Sequence, residues 1–258
     1  MRRSGQVYLL FGICAGLAAA PAMAQTTVSE AAQYHACLQR VQGNPDSAYD
    51  EALAWRDRGG GVPASHCVAL ALVGLGKHAE AASRLAALAD LPGGRRMAPA
   101  LLAQAGNAWL LADKPGNAYN VLSTALNLDP ETLSVAERVD LLIDRASALA
   151  ALARWEEAEA DLSKALSLDP EQASAYVYRA TVRRMRDQTA LALEDLQLAL
   201  ALSPNDAAAL LERGIIYRLQ EKPDAARADW MAAIALDPDS KIAEAARLNL
   251  EKLDVKSE

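Results

Sequence analysis

Small and apolar side chains recur along this chain at fixed offsets. Ala118, Ala158, Ala192 and Ala226 each precede a proline by one constant interval, and Ala125, Ala165, Ala199 and Ala233 precede the same prolines by a shorter one. A third column, Gly106, Ala146, Ala180 and Gly214, keeps a longer constant distance from them. The prolines are Pro130, Pro170, Pro204 and Pro238, three of them following Asp129, Asp169 and Asp237. After a longer first interval they recur at roughly 34 residues, a period that predicts helical hairpins. Side chains no larger than a methyl let the two helices of a hairpin approach closely. One hairpin cannot bury its apolar face alone, so neighbours stack into a solenoid whose curved surface typically binds another chain, which argues against an enzyme.

The remaining segments fit the same plan less regularly. The six extra residues between Pro130 and Pro170 predict a longer first helix, since Thr132 to Arg154 holds no breaker. A weaker repeat runs from about Pro63 to Asp90 with Leu72, Ala81, Leu85 and Leu88 in step, and closes on Leu91-Pro92-Gly93-Gly94. Upstream, Glu30 to Gln42 and Asp46 to Arg58 predict one more hairpin about the turn Gly43-Asn44-Pro45. Ser240 to Leu253 predicts a terminal cap: Ile242, Ala245, Ala246 and Leu253 share one face, with Lys241, Glu244, Glu251 and Lys252 off it.

On these residues the chain resembles the tetratricopeptide repeat family. The last repeat matches most fully, with Leu210, Gly214 and Tyr217 followed by Ala226, Trp230, Ala233 and Pro238. The repeat before it carries Tyr176, Ala180, Ala192, Leu196, Ala199 and Pro204, with Arg183 where the family prefers an aromatic residue. Leu142, Ala146, Ala158, Leu162, Ala165 and Pro170, and before them Leu102, Gly106, Trp109, Ala118, Leu122, Ala125 and Pro130, complete the series. The resemblance implies an all-α, right-handed superhelix, an α-solenoid of about five to six hairpins plus a C-terminal capping helix. Residues 25–95 would hold the degenerate hairpins, 96–239 four repeats, and 240–258 the cap and tail.

An ion pair recurs inside this pattern. Arg145, Arg179 and Arg213 precede Asp161, Asp195 and Asp229 by one and the same interval. Where Val68 and Ala105 replace the arginine, Arg84 and Val121 replace the aspartate. Charges that appear and vanish together predict a contact between the helices of one hairpin that sets their register. As an exposed pair it would contribute about 0.2–1 kcal/mol.

The N-terminus changes the picture. Arg2-Arg3, the apolar run Val7 to Ala20 and Ala22-Met23-Ala24 before Gln25 read as a secretory signal peptide, residues 1–24, cleaved after Ala24. About 14 apolar residues fall short of the roughly 20 that span a bilayer, and Cys14 lies inside the run instead of at a lipoprotein cleavage site. The mature chain is expected in a periplasm without stable membrane insertion. Losing Arg2 and Arg3 moves the formal charge from -7 to about -9, which disfavours nucleic acid, and the cluster Arg179, Arg183, Arg184 and Arg186 is too small to reverse that balance.

Two cysteines then remain, Cys37 and Cys67, on first helices about one repeat apart. An even pair in an oxidising compartment predicts a disulfide, with two buried free thiols the other reading. Zinc held by His35, Cys37, His66 and Cys67 is disfavoured, because neighbours one or two apart on a helix point in different directions. His78 reads as a surface or packing residue. Gly59-Gly60-Gly61 lacks a phosphate-loop lysine, no Gly-x-Ser-x-Gly or His-Glu-x-x-His occurs, and Glu156, Glu157 and Glu159 read as solvated acids at a helix start. No cofactor or metal is expected.

The resemblance implies that first helices line a concave groove. The matching positions are Ala103, Asn107, Leu110 and Leu111; Ile143, Ser147 and Ala151; Val177, Thr181, Arg184 and Met185; and Leu211, Ile215, Arg218 and Leu219. Arg184 and Arg218, one repeat apart, are expected to stack and to hold an acidic residue or a C-terminal carboxylate of an extended peptide, with solvated arginines as the alternative. The family's chaperone-tail clamp is not carried over: Asn107 alone matches it and Ala103 stands where a lysine is expected. The first reading is an exported scaffold, in envelope assembly, that binds a peptide segment of a protein. The second is an accessory subunit that docks to an enzyme or transporter through its convex face, or self-associates.

Overall fold

In a computed structural model residues 29–255 are described, and the predicted signal peptide lies outside them. Thirteen α-helices follow one another with no strand among the described residues. They pair as α1 (Glu30–Gly43) with α2 (Pro45–Asp57), α3 (Gly61–Gly74) with α4 (His78–Ala89), and α5 (Ala98–Leu111) with α6 (Pro115–Leu126). Then come α7 (Val135–Ala151) with α8 (Trp155–Leu168), α9 (Ala173–Met185) with α10 (Thr189–Leu202), and α11 (Ala207–Leu219) with α12 (Pro223–Leu236). A last helix, α13 (Lys241–Val255), packs on α11 and α12. Each element contacts mainly its neighbours in sequence, so the chain folds into the all-α solenoid of hairpins that its period predicts.

Five hairpins turn in the same way. The residue two past each first helix adopts a left-handed conformation, Gly76 (φ 73°), Asp113, Ala153, Asp187 and Glu221 (φ 54–60°). The next amide donates to a carbonyl five residues back at 2.9 Å in every case, from Lys77 N to Leu72 O through to Lys222 N to Tyr217 O. This closes the helix end with a six-to-one bond. Four of the five turns adopt that conformation without glycine, at roughly 1–2 kcal/mol each, so the stacked helices hold a geometry that the local sequence resists. The first hairpin differs: Asn44 alone links α1 to α2, its Oδ1 accepting from Ser47 N at 3.1 Å, with Pro45 opening α2.

The six-residue insertion is divided. α7 has 17 residues against 13 in α9, while a 3-10 turn at Pro130–Thr132 and Leu133-Ser134 take up the other two. α7 therefore starts at Val135, later than an unbroken run from Thr132 would have it. The cause is Ser134, whose side chain accepts from Glu137 N while Glu137 caps the Ser134 backbone in return, a reciprocal cap that fixes the start.

The small-residue columns lie at the hairpin interiors. Ala118, Ala158, Ala192, Ala226, Ala125, Ala165, Ala199 and Ala233 are all fully buried, as are Leu122, Leu162, Leu196 and Trp230 between them. A Cβ at Gly214 would stand 2.4 Å from the Trp230 indole nitrogen, so the one repeat that carries tryptophan here needs glycine opposite it. The indole N–H donates to Leu211 O at 3.1 Å, which satisfies its only donor. In the cap, Ala243 and Ala246 are the fully buried residues.

The three arginine–aspartate sets are bidentate. Arg145 donates to Asp161 at 2.7 and 2.8 Å, Arg179 to Asp195 at 3.0 and 2.7 Å, and Arg213 to Asp229 at 2.7 and 2.7 Å. They are not exposed pairs, since all three aspartates are buried, Asp195 to 1%. Arg145 and Arg179 also donate to Ser123 (3.3 Å) and Ser163 (3.2 Å) on the second helix of the preceding hairpin. Each of these two guanidiniums thus joins three helices and ties neighbouring repeats together. Removing one partner of such a pair strands a buried charge, which costs more than an exposed pair contributes.

Arg183 donates to Asp195 as well, so Arg213 and Asp229 are the pair to test. Arg213→Ala and Asp229→Ala should each cost about 3 kcal/mol in urea unfolding, and the double variant little more than either alone. Additive losses would deny the contact a structural role.

Candidate functional site

The first helices carry the residues that the sequence offers for binding. Ile143 and Val177 are buried and Leu110, Leu211 and Ile215 half-buried, each packed in the core of its own hairpins. Two hydroxyls on that surface are spent on their own helices: Ser147 Oγ donates to Ile143 O and Thr181 Oγ1 to Val177 O, both at 3.1 Å. Asn107 Nδ2 donates to Asp144 Oδ2 at 3.1 Å, linking α5 to α7. Leu111, Met185 and Leu219, at the last position of α5, α9 and α11, are 61%, 47% and 53% exposed. Tyr178, which the sequence reading passed over, is also exposed.

The two arginines of this surface differ, which corrects the expectation that both are open to a partner's carboxylate. Arg184 on α9 donates through Nε to Glu212 on α11 and is already matched by a carboxylate. The Arg218 side chain on α11 makes no hydrogen bond or ion pair among the described residues, and its Nε is enclosed without a partner. Arg218 lines a cleft of about 670 Å³ between α11, the start of α12 and the end of α13. Lys252, assigned above to the solvated side of the cap, lines the same cleft.

The arginine cluster is also used internally. Arg183 donates to Glu159 at 2.9 Å and to Asp195 at 2.8 Å, and Arg186 reaches Glu159 and Glu156. Burial opposes ionisation of Glu159, but Arg183 and Arg186 together hold its carboxyl below the usual range. Glu159 is therefore a bridge between α8 and α9, not a solvated acid. Arg183, at the position where the resemblance expects an aromatic residue, is thus taken up by two carboxylates.

At the other end of the array Tyr34 on α1, His66 on α3 and Gln104 on α5 form a chain, with 2.5 Å from Tyr34 Oη to His66 Nδ1 and 2.6 Å from His66 Nε2 to Gln104 Oε1. Burial lowers the His66 pKa, against the Gln104 bond. The neutral ring, accepting from tyrosine and donating to glutamine, satisfies both nitrogens. Beside it the Cys37 and Cys67 sulfurs are in contact, with Cα atoms 6.4 Å apart, inside the range a disulfide spans. Among the described residues no group of three or more His, Cys, Asp or Glu could hold a metal, and no helix is long and apolar enough to cross a membrane.

With this geometry in view, comparisons place the fold. A tetratricopeptide repeat family profile matches residues 139–172. A tetratricopeptide repeat protein from Parabacteroides merdae is similar over 87% of this chain and 85% of its own, with a TM-score of 0.66 at 18% identity. Pseudomonas aeruginosa PilF gives 0.62 at 17%, over 85% of this chain and 97% of its own. MamA from Desulfovibrio magneticus gives 0.54 at 18%, over 74% and 98%. No curated protein matches at the level of sequence. The fold is that of tetratricopeptide repeat structures.

One titration on this surface is testable. Burial, against the Asn107 bond and with help from Asp140, raises Asp144 to about 6. An unfolded aspartate titrates near 3.9, so the folded chain binds this proton more tightly and stability falls as pH rises from about 4 to 6, then levels. Asp144→Asn, which keeps an acceptor for Asn107, should raise stability at pH 7.5 by roughly 1–2 kcal/mol and change it little at pH 4. Equal effects at both pH values would deny the raised pKa.

Proposed function

We propose that this protein is an exported scaffold whose first-helix surface holds an extended segment of a protein partner in the cell envelope. The observation that carries the reading is the exposure of Leu111, Met185 and Leu219, large apolar side chains left in water at the C-terminal ends of α5, α9 and α11, with Ala151 at the same place on α7. Such a row offers apolar surface against which alternate side chains of an extended peptide can pack. The fold supports it, because stacked hairpins present a continuous surface. A second reading draws on the outer helices, where Leu191 and Leu198 of α10 and Met231 of α12 are also exposed, and would have the protein dock or self-associate through that face.

A photoreactive residue at Thr181, in cells, separates the two. Crosslinks to one dominant partner, lost when Leu219→Asp and Met185→Asp are introduced, support the groove. Crosslinks only to other copies, or none, overturn it in favour of the outer face.

Export carries its own check. The exported chain should begin at Gln25 and have no alkylatable thiol until reduced, because Cys37 and Cys67 would be bonded. Reduction should lower stability by about 3–4 kcal/mol through the loop that the bond closes. Two free thiols in the unreduced exported chain would reject the disulfide, and retention of residues 1–24 would reject the signal peptide.

A further inference from the structure

Arg184, Arg218 and Lys252 occupy one register position on α9, α11 and α13, each one repeat after the last. The array treats them unequally. Arg184 is answered by Glu212, a buried carboxylate on the next first helix. The residue one repeat beyond Glu212 is Ala246 on α13, fully buried and without a polar group. The repeat that should answer Arg218 therefore brings a methyl where its predecessor brings a carboxylate.

Arg218 is left with an enclosed, unbonded Nε and no ionic partner among the described residues. A half-buried guanidinium in that state is costly, and a charge-assisted bond to it is worth more than one in open water. The cleft beside it is about 670 Å³, lined by Lys252 and Arg227 as well as Leu219, with Glu221 and Asp224 the two acids of its lining. Arg227 is bound to Asp254, so Arg218 and Lys252 are the cations that face a ligand.

We infer that Arg218, assisted by Lys252, takes a carboxylate supplied by the bound peptide, in the contact that Glu212 makes with Arg184. This rests on the groove reading, and it narrows the partner segment to one bearing an acidic residue or its own C-terminus at the α11–α13 end. Arg184 contributes nothing directly, since its site is filled from within.

The test is selection of random dodecapeptides, displayed with free C-termini, on the mature chain, followed by titration of the enriched peptides. Binding should weaken about ten- to a hundredfold in Arg218→Gln and stay unchanged in Arg40→Gln, a distant exposed arginine. Amidating the peptide C-terminus and replacing its Asp or Glu by Asn or Gln should separate the sources of the carboxylate, one of the two changes reproducing the Arg218→Gln loss. Ala246→Glu, which supplies the missing carboxylate internally, should abolish binding if the cap keeps its helicity; if it does not, Arg218→Gln decides. Peptides lost on Leu219→Asp but indifferent to Arg218→Gln would overturn the inference and leave the groove standing. No enriched peptide would overturn both.

Discussion

The two helices of a hairpin can close because the first brings no more than a methyl at 106, 146, 180 and 214; at Gly106 and Gly214 an added Cβ would stand 2.5 and 2.4 Å from Leu122 and Trp230 of the second helix. That constraint sets the fold's dimensions. It fixes how deeply Leu122, Leu162, Leu196 and Trp230 sink between the helices, all of them fully buried, and it demands glycine at 214 where the sunk residue is an indole. Held at a constant separation, successive hairpins repeat the same surface, so equivalent side chains fall in rows along the array. The Arg184–Glu212 contact follows from that alignment, as does the failure of Arg218 to find the same partner.

Charge is used mainly to bind hairpins to one another. Asp195, 1% exposed, accepts from both Arg179 and Arg183, and Glu159 from Arg183 and Arg186, which stitches α8, α9 and α10 together. A buried carboxylate is tolerable only with its cation in place. The network therefore makes this stretch of the solenoid intolerant of slippage between hairpins. The four arginines that look like a basic patch in the sequence are paired within it or with Glu212.

The period and four of the hairpins were legible because proline and small residues mark them at fixed offsets, whereas the two hairpins before them and the cap rested on a looser apolar pattern, which gave about five to six hairpins where the structure has six. The arginine–aspartate spacing was legible for the same reason, and the pairs it indicated lie at 2.7–3.0 Å. Their burial was not, because it depends on how the second helix of one hairpin meets the next. The turns gave no glycine signal at Asp113, Ala153, Asp187 and Glu221, since packing imposes the left-handed residue there. Glu212 and Lys252 were missed although their spacing to Arg184 and Arg218 lies in the sequence. Reading Arg184 and Arg218 as a pair looked along one row of the array, whereas the deciding contact runs diagonally between two rows. The start of α7 was misplaced for a local reason: Ser134 and Glu137 form a cap that an unbroken run of helix formers conceals.

A repeating surface is by construction nearly the same everywhere, so specificity has to come from where the repetition fails. Most departures in this array are healed internally. Arg183 at an aromatic position finds two carboxylates, and the insertion before α7 is absorbed by a longer helix and a short turn. The substitution of alanine for glutamate at 246 is not healed. It lies where α13 closes the array, with no further hairpin among the described residues to supply a group in its place. On the inference that Arg218 takes a partner's carboxylate, the cost of an unanswered guanidinium is borne by the free protein and recovered on binding, and the end of the solenoid, more than its middle, would be the place where a partner is told apart from other chains.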